Sequence, residues 1–190
     1  MLANNGVVGM VINLALLIGT SILCQSVPYQ PGFGAKQLTL LLHNAVLGAT
    51  IAPLCFFGGP AVVRAAVYTA GVCCGLSTVA VCAPDEKFLS WGAPLGAGLF
   101  VVFLSSLAGA FLPPTSAAGL TLFSLSMYGG LVLFCLMILH DTQRVIHNAK
   151  RAPPGGRNFD PVNNSMSIYM DAVNIFVRML MIMGNHNKRK

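Results

Sequence analysis

The sequence predicts an all-α, polytopic membrane helical bundle of six apolar segments, and three observations predict it. Of its 190 residues, 55% are apolar and only 8% charged, with a mean hydropathy of +0.74. A soluble domain carries about 25% charged residues, so an ordinary water-soluble globule is excluded, and disorder more firmly still. Asp, Glu, Lys and Arg are absent from 1–35, 37–63, 65–84 and 88–140. A hydrocarbon core of about 30 Å is crossed by about 20 helical residues. The first three stretches therefore hold one span each, and the fourth, interrupted by Pro113-Pro114, holds two. The remaining part, 141–190, carries eight of the eleven Lys and Arg residues and three of the five acids, yet still contains one apolar segment.

The first span is expected over about 6–27, ended by Pro28-Tyr29-Gln30-Pro31-Gly32, where Pro lacks a donor and Gly lacks helix preference. The second covers about 38–57, with His43 and Asn44 toward one end and Pro53 toward the other. Gly58-Gly59-Pro60 makes the next turn. The third covers about 61–83, with Arg64 near its start, and Pro84-Asp85-Glu86-Lys87 forms a short polar connection. The fourth covers about 91–112 and stops at Pro113-Pro114-Thr115. The fifth covers about 117–139 and runs into His140-Asp141-Thr142-Gln143-Arg144. A polar linker to about Asn163 follows, with Pro153-Pro154-Gly155-Gly156 in its middle. The last segment, about 165–184, precedes the basic tail Lys188-Arg189-Lys190, an anchor for anionic headgroups.

Short connections predict one membrane domain over 1–190 with neighbouring helices packed together. Gly71 with Gly75, and Gly92 with Gly96, have the spacing that lets helix backbones approach closely in lipid. The six Cys residues lie in apolar spans without a CxxC, so they read as small buried hydrophobes, not as a disulfide or zinc framework. If all six segments cross, six basic residues fall on one side and five on the other, so charge sets no orientation; a re-entrant last segment is the alternative. No basic n-region or Arg-rich transit segment precedes the first apolar stretch, which reads as a full-length span.

The last segment carries the chemistry. Asn164, Ser167, Asp171, Asn174 and Arg178 fall within about 80° of one another on a helical wheel. A single polar stripe on an apolar helix faces protein or water, since a charge at the bilayer centre costs about 2.5–3.5 kcal/mol. Asp141 and Asp171 are the carboxylates associated with apolar segments; Asp85, Glu86 and Asp160 sit in polar connections. Two carboxylates within a few Å of one another cannot both ionise freely and come to share a proton. They also offer hard oxygen ligands suited to Ca²⁺. Asp141 and Asp171 are thus the candidate proton sensor and transient Ca²⁺ site, with Arg64, Arg178, Asn174 and Ser167 as counter-charges or polar lining. The bland alternatives stay open: Asp141 with Arg144 at a helix end, Asp171 with Arg178 or Lys87, Arg64 snorkelling to the interface, His43 bonded to a neighbouring helix. His140 and His147, seven apart, lack a third metal ligand. With no nucleophile–base set, phosphate loop or zinc motif, no enzyme is expected. No resident cofactor is expected either, and the high pI belongs to membrane-flanking residues rather than to nucleic-acid binding.

The stretch His140-Asp141-Thr142-Gln143, then Asp160-Pro161-Val162-Asn163, then Ser167-Ile168-Tyr169-Met170-Asp171-Ala172-Val173-Asn174-Ile175-Phe176, resembles the C-terminal signature of the transmembrane Bax inhibitor motif family. Gly58-Gly59-Pro60, Tyr68-Thr69-Ala70-Gly71 and Phe111-Leu112-Pro113-Pro114-Thr115 are similar to a mitochondrial member. The resemblance implies a seven-span fold with a central last helix and a di-aspartyl proton sensor at Asp141 and Asp171. It implies Ca²⁺ leak or Ca²⁺/H⁺ exchange with protection from apoptosis, in the mitochondrial inner membrane. Its alternative is a non-transporting scaffold that organises cristae through cytochrome c and cristae or protease partners. The family's additional first span and the mitochondrial presequence are not found ahead of the first segment, so the chain reads as a shortened product. His140 stands where the family usually has an aromatic or apolar residue.

Overall fold

A computed structural model describes residues 6–56, 59–113, 116–153 and 159–187, and among them all regular structure is helical. The elements are α1 (Gly6–Ser26), α2 (Ala35–Phe56), α3 (Pro60–Cys82), a 3₁₀ turn (Leu89–Trp91), α4 (Gly92–Phe111), α5 (Ala117–Ser124), a π-helical turn (Leu125–Gly129), α6 (Gly130–Arg151) and α7 (Pro161–Asn187). Five stretches are long and apolar enough to cross a bilayer: Ala35–Phe56, Pro60–Cys82, Leu89–Gly109, Ala117–Arg151 and Pro161–Gly184; the apolar stretch Val11–Ser26 is shorter. Outward-facing Val11, Ile12, Leu16, Ile18 and Ile22 on α1 are all more than 40% exposed, a surface made for lipid rather than water.

The bounds differ from the sequence expectation at the end that matters. Helix α6 does not stop at Leu139 but continues as helix through Asp141 to Arg151, and α7 begins at Pro161 rather than Ser165. Polarity alone did not end α6, because its polar residues find partners on the helix's inner side; Ala152 caps the helix and Pro153 comes next. Asp160 caps α7, its Oδ1 accepting from the Asn163 amide at 2.9 Å, with Pro161 at the first helical position. Pro154-Gly155-Gly156 and Lys188-Arg189-Lys190 lie outside the described residues.

The chain divides into two compact units, Met1–Phe57 with Asp160–Ser165, and Gly58–Phe159 with Met166–Lys190. In the first, α1 packs along α2 and His43 Nδ1 is hydrogen-bonded to Thr20 Oγ1 at 2.9 Å, the inter-helix contact expected of that histidine. Lys36 is 1% exposed; its Nζ reaches Asp160 Oδ2 at 2.8 Å, Asn163 Oδ1 at 2.7 Å and the Val27 carbonyl at 2.9 Å.

In the second unit α6 receives α3 and the connection after it through Ala80, Phe88 and Leu139, and α4 through Leu95, Val102 and Leu133. Ile175 of α7 packs on Phe134 and Ile138. Between 166 and 184, α7 buries Met166, Asp171, Ile175 and Leu180 and leaves only Tyr169 and Met181 exposed, the rest being half-buried. Of the four glycines the spacing suggested, only Gly92 sits in a close approach; a Cβ at Gly96 would meet open space. Gly71 and Gly75 lie on the exposed face of α3 with open space where a Cβ would go. A Cβ at Gly98 would instead come within 2.8 Å of Leu133 Cδ1, and one at Gly92 within 3.0 Å of His140 Nε2.

Candidate functional site

Residues four, three and four apart share one face of a helix. Ser167, Asp171, Asn174 and Arg178 of α7 accordingly line one cavity of about 700 Å³, joined there by Asp141 from α6 and by apolar side chains of α4 such as Phe100 and Phe103. The fifth member of the stripe, Asn164, is taken up at the start of α7, its Nδ2 donating to the Asp160 carbonyl at 2.8 Å. Asp141 reaches the cavity because α6 continues past Leu139 and turns it inward. Both carboxylates are withdrawn from solvent, Asp141 at 4% and Asp171 at 3% exposure.

Their partners are not the ones that a purely structural reading suggested. Asp141 Oδ1 lies 2.8 Å from His140 Nδ1, while Arg144 is exposed. Asp171 Oδ2 is buried with no hydrogen-bond partner. Among the described residues no ion pair joins Asp171 to Arg178 or to Lys87, which instead sits 5.6 Å over the Phe88 ring. A buried, unpartnered carboxylate oxygen on a cavity wall is costly as pure structure. It is what a site that exchanges protons or cations requires.

Arg178 is held by neutral groups. Its Nη1 donates to Asn174 Oδ1 at 3.0 Å and to the Asn174 carbonyl at 3.2 Å, and its Nε donates to the Ser126 carbonyl at 3.3 Å. The guanidinium carbon lies 4.6 Å from the Phe134 ring centroid, a cation–π contact. Ser126 belongs to the π-helical turn, whose wider i→i+5 pattern offers backbone carbonyls away from the α-helical ladder. A Cβ at Gly130 would overlap the guanidinium as it lies, so a larger residue there would push Arg178 out of this seat. The sequence reading missed this cradle; a Gly129-Gly130 pair inside a long apolar span was its one local sign.

Arg64 does not join the site: it is exposed on α3 and is not among the cavity's lining residues. His140 and His147 go to separate carboxylates, His147 Nδ1 lying 3.2 Å from Glu86 Oε1. Among the described residues no three His, Cys, Asp or Glu side chains gather as a metal cage. Asp141 and Asp171 are two oxygen-bearing groups, and Ca²⁺ takes six to eight oxygens, so water would supply the rest of any Ca²⁺ shell and the binding would be transient.

One residue beside Asp141 also went unnoticed in the sequence. Gln143, buried on α6, accepts from the Phe88 amide at 2.7 Å and donates to the Ala80 and Pro84 carbonyls at 3.3 and 3.0 Å. It ties the α3–α4 connection, where Glu86 sits at φ 65, to the helix that carries Asp141. Gln143→Ala leaves those buried backbone groups unpaired and is expected to cost about 2 kcal/mol, read as a lowered unfolding midpoint in detergent.

A family model described as "Inhibitor of apoptosis-promoting Bax1" matches residues 2–188. The growth hormone-inducible transmembrane protein of Rattus norvegicus is 52% identical over 177 residues, covering 93% of this chain and 51% of that protein. Bax inhibitor 1 of Arabidopsis thaliana is 30% identical over 178 residues, covering 91% of this chain and 68% of that protein. Bax inhibitor 1 of Bos taurus is 27% identical over 178 residues, covering 91% and 71%. The chain thus spans about half the length of the rat protein. No solved structure matches.

Proposed function

The chain belongs to the family of Bax1-type inhibitors of apoptosis, and from that premise we propose that it is a pH-sensitive Ca²⁺ pathway, a leak or a Ca²⁺/H⁺ exchanger, serving protection from apoptosis. The observation that carries the proposal is the pair Asp141 and Asp171, buried on one cavity between membrane helices, with Asp171 Oδ2 unpartnered. Ionisable groups inside a membrane are expensive and mark ion pathways and proton relays. The same carboxylate oxygens accept either a proton or Ca²⁺, so the two compete. Acidifying the side that opens to the cavity displaces Ca²⁺, and raising pH there favours its entry. We assign the protein to the mitochondrial inner membrane, in line with its motif resemblance; fractionation of cells expressing a tagged chain tests that.

The test is reconstitution in liposomes with a Ca²⁺ dye inside and a pH gradient imposed. An exchanger takes up Ca²⁺ against its own gradient when protons leave, whereas a leak moves Ca²⁺ only downhill with a rate that depends on pH. If neither occurs at any pH, the transport reading fails. Restoration of cristae by the Asp141→Asn/Asp171→Asn double variant in depleted cells would then favour the scaffold reading.

A further inference from the structure

We infer that the ion pathway does not end at the two carboxylates but continues past Arg178 into a second, serine-lined cavity, with Arg178 as the charged partition that limits and selects passage. This rests on the transport reading above.

The second cavity, about 340 Å³, is lined by Ser105, Ser126, Gly109 and Met181 among others. Two residues, Ser106 and Arg178, line both this cavity and the one that holds Asp141 and Asp171. They form the wall between the two spaces. The wall is tied together by polar contacts: Ser106 Oγ is hydrogen-bonded to Ser126 Oγ, and the Ser126 carbonyl accepts from Arg178 Nε. Beyond Ser106 and Arg178 the second cavity adds two further serines, Ser105 and Ser126, among Gly109, Phe123, Met127, Val177 and Met181. Hydroxyls and a backbone carbonyl are groups on which a partly dehydrated cation can rest.

The position of the guanidinium is built rather than incidental. The π-helical turn, Gly130, the Phe134 ring and Asn174 each contribute to its seat. None of these is an anion, so the full positive charge stands across the route. Like charges repel in proportion to the product of their charges and inversely with the local dielectric, which is low inside the bundle. The repulsion doubles for a divalent ion. A fixed guanidinium thus slows Ca²⁺ more than K⁺, and Asp171, a turn before Asn174, is the group whose own charge offsets it. All of these contacts are single neutral hydrogen bonds or a ring face, which exchange more readily than a bidentate ion pair would.

Flux of Ca²⁺ and of K⁺ is measured in proteoliposomes for the parent, Arg178→Gln, Arg178→Lys and Gly109→Leu. Gly109 lines the second cavity alone of the two, and a Cβ there meets open space, so leucine is the substitution chosen to narrow that cavity. Arg178→Gln is expected to raise Ca²⁺ flux severalfold and to raise the Ca²⁺-to-K⁺ ratio, with pH dependence retained. Arg178→Lys, which keeps the charge, is expected to keep the parental Ca²⁺-to-K⁺ ratio. Gly109→Leu lowers flux of both ions about tenfold. If Arg178→Gln does not fold, Gly109→Leu decides alone. A parent that conducts and loses flux in Asp171→Asn, while Gly109→Leu and Arg178→Gln conduct as the parent does, overturns this inference and leaves the transport reading standing. A parent without flux overturns both.

Discussion

Asp171→Asn abolishes the pH dependence of Ca²⁺ flux and lowers the flux about tenfold or more, in a protein at least as stable in detergent as its parent. The substitution keeps the shape of the side chain but removes its charge and its capacity to bind and release a proton. A tenfold loss corresponds to ~1.4 kcal/mol, less than the Coulomb interaction of one carboxylate with a divalent ion at contact. The stability half of the expectation separates function from packing. A residue retained for packing loses stability when replaced. Asp171 has a buried oxygen without a partner and no ion pair among the described residues, so a neutral amide removes a cost rather than a contact. Asp85→Asn serves as the control. Its carboxylate is 78% exposed and bonded to Lys150, also exposed, a surface pair worth little; flux, pH profile and unfolding midpoint stay at parental values. Unchanged pH dependence in Asp171→Asn would sink the carboxylate mechanism.

Lys36→Met unfolds the first unit at markedly lower temperature, with a loss of about 3 kcal/mol, near the lower end of what removing one partner of a buried pair costs. The lysine stem is enclosed and its ammonium is shared by Asp160, Asn163 and the Val27 carbonyl. Those three acceptors come from the α1–α2 connection and from the start of α7. Methionine fills the channel left by the stem but strands the Asp160 carboxylate and two further acceptors. Asp160 keeps some contact with water at 23% exposure, which moderates the penalty. The double variant Lys36→Met/Asp160→Asn is expected to recover part of the loss, since the stranded charge is gone while the cap to Asn163 is weakened only in strength. Equal midpoints for parent and Lys36→Met, by circular dichroism on heating in detergent, would show that the lysine holds nothing together.

The polar stripe of α7 was legible because it is a property of one helix. Spacing of three and four residues decides which side chains share a face, whatever lies opposite. That Ser167, Asp171, Asn174 and Arg178 line one cavity follows from this periodicity once the helix exists. The position of Asp141 was legible as a residue and not as an environment. The sequence places it at a helix end, where a carboxylate faces headgroups and water; the structure continues the helix for ten residues beyond it and buries it. Lys36 is the mirror case. It reads as a charge in a connection, yet it is enclosed, because two of its three partners are more than a hundred residues away at the start of α7.

What the amino-acid sequence determined by itself is the solvent and the secondary structure: charge-free stretches of bilayer length satisfy their backbone polar groups internally only as helices. It also determined the angular alignment of α7's polar residues. Only the tertiary structure decided who meets whom. It brought Asp141 onto the wall that holds Asp171, left Arg64 outside, seated Arg178 on a π-turn carbonyl beside Gly130, and gave Gln143 and Lys36 their backbone partners. The physical reason is that periodicity is carried by neighbours a few residues apart. Burial and hydrogen-bond satisfaction are carried by groups brought together across the chain, and no local pattern encodes them.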